Sequence, residues 1–255
     1  MRLRLIAATT LAALATLAFA NPAAADHSWG GYHWARTANP LQLKIADNVG
    51  SAWDSYLNTA ISDWNQSTVL SLTKVAGSVN PKTCKPVTGR VDVCNATYGN
   101  NGWLGIAGIS ITGGEHITKS YVKLNDTYFN TAQYNTTAWR NLVMCQEIGH
   151  AFGLDHQDEN FDNANLGTCM DYTSNPGTNQ HPNAHDYDQL EEIYAHLDSF
   201  NSATMSVPTA GPSAVGDSPA SWGKLVAGSH TRGFGVYVRD FGNGNLFVTH
   251  VFWAN

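Results

Sequence analysis

Met144-Cys145-Gln146-Glu147-Ile148-Gly149-His150-Ala151-Phe152-Gly153-Leu154-Asp155-His156 is the stretch on which the rest of this chain turns. Gln146 and His150 are four residues apart, so on a helix they project from one face, roughly one turn (~6 Å) from each other. Glu147 sits beside them and reaches the same cleft. Gly153 can adopt φ > 0 and turn the chain sharply, which folds His156 back toward His150. Two imidazoles, one carbonyl-type oxygen and an open position suit a tetrahedral Zn²⁺ carrying a water. A neighbouring carboxylate that does not bind the metal can take that water's proton. A second short piece, Gly167 to Tyr172 (G-T-C-M-D-Y), belongs with the first.

The string Q-E-I-G-H-A-F-G-L-D-H resembles the H-E-x-x-H-x-x-G-x-x-H signature and following methionine turn of the metzincin zinc endopeptidases. Glu147, His150, Gly153 and His156 match, Met170 fits the Met-turn, and Gln146 stands where the family has its first histidine. The subfamily it is most similar to is the matrixin-like one, with a short domain ending soon after a D-x-x-x-L-E-E-I-Y-like helix. The likeness covers about residues 30–198.

The resemblance implies an α+β fold of the metzincin type. Its parts are a twisted, mostly parallel sheet with an antiparallel edge strand, two long helices packed on it, and a small C-terminal subdomain with the Met-turn and a closing helix. It implies that His150, His156 and Gln146 hold Zn²⁺ and that Glu147 is the general base. Gln146 leaves three outcomes open: ligation through its neutral amide oxygen, a poorer donor than imidazole, replacement by another residue, or loss of the metal. Tyr172, two residues after Met170, matches the tyrosine that approaches the zinc in astacin-like and serralysin-like members. There it would stabilise the oxyanion; the other reading is a buried tyrosine with a satisfied hydroxyl. The last strand before the metal helix, here roughly Gly105 to Ile111 or its neighbour, would be the edge that receives substrate as an added strand.

Residues 1–25 have the form of a secretory signal: Arg2 and Arg4, an apolar run from Leu5 to Phe19, and Ala23-Ala24-Ala25 before Asp26. The apolar run is too short for a membrane span, so a secreted, extracellular protein is expected. The chain carries 14 Lys+Arg against 20 Asp+Glu, a net charge of −6. Without a basic cluster there is no case for nucleic acid or an anionic membrane as partner. A protein or peptide substrate and a monomeric state are expected.

Four cysteines in an exported chain suggest two disulfides, with three possible pairings. Cys84 and Cys94 flank a short loop containing Pro86 and Gly89, a plausible local bridge. By the resemblance, the Met-turn lies beneath the metal helix, which would let Cys145 meet Cys169.

Along the chain, Leu41, Leu43 and Ile45 alternate as a strand, and Trp53, Leu57, Ala60, Ile61 and Trp64 recur at helical spacing. Trp103 to Ile111 and Ile117 to Leu124 read as strands, with His116 an exposed turn residue between them. Thr136 or Asn135 caps a helix running to about Phe152. Asp158, Glu159 and Asp162 lie in a polar loop that offers oxygen ligands for Ca²⁺, although a solvated loop is the simpler reading. Asp186, Tyr187, Leu190, Tyr194 and Leu197 mark a closing helix after Pro182. The division is signal 1–25, catalytic domain 26–198, linker 199–222 and C-terminal hairpin 223–255. In the hairpin, Gly235–Phe241 and Leu246–Trp253 surround Gly242-Asn243-Gly244-Asn245. A two-stranded hairpin is marginal alone, so it is expected to dock on the core. His230 and His250 are read as incidental.

The function expected is a secreted zinc-dependent endopeptidase. The alternative is a weak or inactive protease-like protein serving as a peptide-binding or structural module, because Gln146 replaces a ligand histidine.

Overall fold

The computed structural model describes residues 27–204 and 216–254; the signal-like segment 1–25 lies outside them. The fold is α+β, built on a mixed sheet. Its strands are β1 (His33–Trp34), β2 (Leu41–Asn48), β3 (Leu70–Ala76), β4 (Arg90–Ala96), β5 (Trp103–Thr112), β6 (His116–Asn125), β7 (Lys224–Ser229), β8 (Phe234–Asp240) and β9 (Leu246–Trp253). The helices are α1 (Asp54–Trp64), α2 (Asp126–Phe129), α3 (Thr137–His150), α4 (Ala184–Ile193) and α5 (Pro219–Trp222).

The strand order is β3-β2-β4-β6-β5-β9-β8-β7, with β1 added on β6. Pairings among β1, β2, β3, β4 and β6 are parallel; those that join β5, β7, β8 and β9 are antiparallel. This corrects two expectations. The sheet is not mostly parallel, and Gly105–Ile111 is not an edge, because β9 pairs with β5 along its free side. The C-terminal segment is three strands, and it extends the main sheet. The cause is apolar: Phe247, Val248, Val251, Phe252 and Trp253 are all buried. Side chains of β9 alternate between the two faces. Val248 and Phe252 join the core under the helices, while Phe247, Val251 and Trp253 pack with Trp103, Tyr121 and Trp222 on the other face.

Helix α1 buries Leu57, Ala60, Ile61 and Trp64, the face its spacing predicts. Helix α3 starts at Thr136, whose side chain accepts from the Trp139 amide, a cap worth about 1 kcal/mol. From Leu142 to His150 every residue of α3 is buried. Helix α4 begins with a capping box, Asn183 with Asp186, and stops at Ile193, short of the Leu197 that the apolar spacing had included. Disulfides join Cys84 to Cys94 and Cys145 to Cys169. Among the described residues no helix is long and apolar enough to cross a membrane.

Candidate metal centre

Helix α3 ends at His150, and the chain reverses at Gly153 with φ +100°. A Cβ on Gly153 would stand 1.9 Å from the Tyr32 carbonyl oxygen. Only glycine fits both the dihedral and the approach. The reversal brings His156 back so that its Nε2 lies 2.9 Å from Nε2 of His150.

An outer nitrogen fixes the His150 tautomer. His150 Nδ1 donates to the Leu154 carbonyl at 2.8 Å, which leaves its Nε2 as a bare lone pair. His156 Nδ1 faces Asp155 Oδ1 at 3.2 Å, the carboxylate–histidine arrangement that orients a ligating imidazole. Ligand atoms of Asp155, His156 and Glu159 lie within 4.8 Å of one another, and His156 takes part in that group through its outer side. With His150 Nε2 bare, the 2.9 Å contact needs either a proton on His156 Nε2 or a cation between the rings. Burial and the neighbouring His156 push the His150 pKa down to about 3, so His150 itself stays neutral.

Glu147 is 1% exposed, and neither carboxylate oxygen has a hydrogen-bond partner. Burial raises its pKa well above the usual carboxylate range, with the nearby Ala107 amide offsetting only part. It fits against β5 because position 105 is glycine: a Cβ there would stand 2.6 Å from Glu147 Oε1. Gln146 Nε2 donates to the Cys169 carbonyl at 2.8 Å, and its Oε1 is buried with no partner. Orphaned amide and carboxylate oxygens at the helix end that carries this imidazole pair fit a divalent cation, since unpaired buried polar atoms are costly.

Met170 lies under the helix; a Cβ on Gly149 would meet its Sδ at 2.6 Å. The Cys145–Cys169 bridge and the Gln146–Cys169 hydrogen bond tie the same turn to α3. The Tyr172 ring packs on His156 with centroids 4.1 Å apart. Burial, then the Glu147 charge, raises the Tyr172 pKa well above its ordinary value, so its hydroxyl keeps its proton. Asp158 is taken up by its own loop, accepting from the Asn160 amide and the Asn163 side chain. No observation there favours Ca²⁺ over a solvated loop.

His250, set aside in the sequence with His230, is part of this centre. It pairs with Ala107 across β5–β9 and stacks on His150, with centroids 4.1 Å apart and planes 13° apart. It is buried, and neither ring nitrogen has a hydrogen-bond partner. Burial, then the two other imidazoles, drives its pKa well below the ordinary value. A signal was present: His250 interrupts the apolar row Val248, His250, Phe252 on one strand face. Phe234 of β8 completes the cover, stacking on Tyr172 at 4.7 Å. A surface pocket of about 460 Å³ therefore lies at the rim, lined by Asp158–Asp162, Thr231 and Arg232, and not over the imidazoles.

No family model matches the chain, and no curated protein does. Among solved structures, the crystal structure of myroilysin is similar over 69% of this chain and 97% of that one, at 13% identity and a TM-score of 0.32. A likeness that loose carries no argument about the site.

Proposed function

We propose that this chain is a secreted zinc-dependent endopeptidase of the metzincin kind, matrixin-like, whose cleft is filled by its own C-terminal strand. The observation that carries the reading is the 2.9 Å Nε2–Nε2 approach of His150 and His156, with Glu147 buried and unpaired beside them. His150, His156 and the Gln146 amide oxygen would hold the ion. When bound, zinc would polarise the scissile carbonyl and acidify a water. Glu147 would accept a proton from that water and deliver it to the leaving amine. The neutral Tyr172 hydroxyl would donate to the charge developing on the carbonyl oxygen. The two disulfides support an extracellular setting.

A substrate strand would pair with β5, the position β9 now holds. Burying Phe247, Val248, Val251, Phe252 and Trp253, at roughly 1.5–3 kcal/mol each, holds β9 down by on the order of 10 kcal/mol as an upper bound. A passing peptide does not displace that, so cleavage requires removal of the C-terminal strands. The same seal favours a second reading, a protease-shaped scaffold with no turnover.

Metal content followed by casein hydrolysis separates the two, run on intact protein and after limited proteolysis. The peptidase reading expects bound zinc, and activity in at least the nicked form that falls roughly 10²-fold or more in Glu147→Ala. Zinc-loaded protein that is inert before and after nicking, or equally active with and without Glu147, abolishes it.

A further inference from the structure

Outside the centre described above, four ligand-type side chains converge from distant parts of the chain. His33 comes from β1, His116 from the first position of β6, and His196 and Asp198 from the segment after α4. His116 is therefore not the free turn residue that its sequence position suggests. His33 Nε2 lies 3.2 Å from His196 Nε2 and 3.5 Å from Asp198 Oδ1. His116 Nε2 lies 3.2 Å from that same oxygen, and His196 Nε2 lies 3.7 Å from it. The ligand atoms of His33, His196 and Asp198 are all within 4.8 Å of one another. The His33 ring stands edge-on to both other rings, at 74° to His116 and 84° to His196.

The three separations among His33, His196 and Asp198, 3.2, 3.5 and 3.7 Å, are close to the edge of a tetrahedron around zinc, about 3.3–3.4 Å for metal–ligand distances near 2.0–2.1 Å. The outer atoms are already anchored. His33 Nδ1 donates to the Gly31 carbonyl at 2.8 Å, leaving Nε2 bare. Asp198 Oδ2 accepts the Arg36 amide at 2.8 Å, leaving Oδ1 for the cluster. Such partners orient ligands at metal sites. Without a cation, the close approach of His33 Nε2 and His196 Nε2 needs one shared proton, which a divalent ion would replace.

The geometry points to a second metal site, with His33 and His196 binding through Nε2 and Asp198 through Oδ1, that takes zinc as a structural ion. His116, whose Nε2 lies against the same Asp198 oxygen, would brace that ligand. The ion would pin the segment after α4 to β1. Because Tyr32 backs Gly153, it would also stiffen the support of the turn that delivers His156. A pocket of about 400 Å³ that includes His33 and His196 opens the cluster to solvent.

The test is zinc stoichiometry of the full chain by elemental analysis after gel filtration, with thermal melts in zinc and in chelator. Two variants are used. His196→Ala removes a half-exposed side chain with little risk to folding, and Asp198→Asn keeps the acceptor for the Arg36 amide. Each is expected to bind one equivalent fewer than the wild type and to lose most of the zinc-dependent rise in Tm. His150→Ala, run beside them, reports on the other centre and leaves this equivalent in place. The assignment is overturned if the wild type takes up no zinc, or if both variants retain the wild-type stoichiometry and Tm shift, the cluster then being held by protons alone. A wild type with one equivalent that His196→Ala abolishes supports this site and removes the other.

Discussion

Replacing Glu147 by glutamine should stabilise the metal-free protein, and by more the higher the pH. The wild-type carboxyl is fully buried with no hydrogen-bond partner, and its folded pKa is raised well above the ordinary 4.5 by burial. Below the unfolded pKa both states hold the proton, and the two proteins differ little. Above it the unfolded chain has released the proton while the folded one retains it, so wild-type stability falls with rising pH. The slope is about 1.4 kcal/mol per pH unit until the folded carboxyl itself ionises. Glutamine keeps the shape and removes the titration. Between pH 5 and 7 the stability gap should widen by up to about 3 kcal/mol, or roughly 5–10 °C in Tm for a chain of this size. His150 and His250, whose folded pKa values are lowered, act oppositely below about pH 6.5, where the unfolded state binds more protons. They do so in both proteins and cancel in the difference. The assay is thermal unfolding followed by circular dichroism from pH 4 to 7 in chelator. A gap that stays flat with pH would mean that Glu147 is solvated and that β9 does not seal the cleft.

Gln146→His should tighten zinc binding at the α3 centre by about tenfold or more, since imidazole is the stronger donor; competition with a chromophoric chelator measures it, and unchanged affinity would remove position 146 from the ligand set. Gly153→Ala should destabilise by about 2–4 kcal/mol or prevent folding, because a Cβ would meet the Tyr32 carbonyl at 1.9 Å in a φ +100° backbone; denaturant titration reads this, and a neutral result would deny the turn. Cys145→Ala with Cys169→Ala should cost about 3 kcal/mol, given a sequence separation of 24, seen as a lower urea midpoint.

The helix α3 and the glycine reversal after it were legible because their information is local. Gln146, Glu147 and His150 are related by helical pitch, and His156 by one glycine reversal. Thr136 as cap, the buried stripe of α1 and the positions of β5 and β6 were legible for the same reason: hydrophobic period and capping chemistry act over a few residues. The hairpin strands were also visible, within a residue of their observed limits. Their destination was not. A strand with two apolar faces states that it will be buried, and does not say against which neighbour. That choice turned β5 from an edge into an interior strand and carried His250 onto His150.

What the amino-acid sequence determined alone is the chemistry available at one helix end: two imidazoles, an amide and a carboxylate in fixed relation along the chain. What tertiary structure decided is who else stands there. His250 meets His150 from a hundred residues away, and His33 meets Asp198 across 165 positions. No period or spacing encodes such encounters; they follow from which apolar surfaces must share one core.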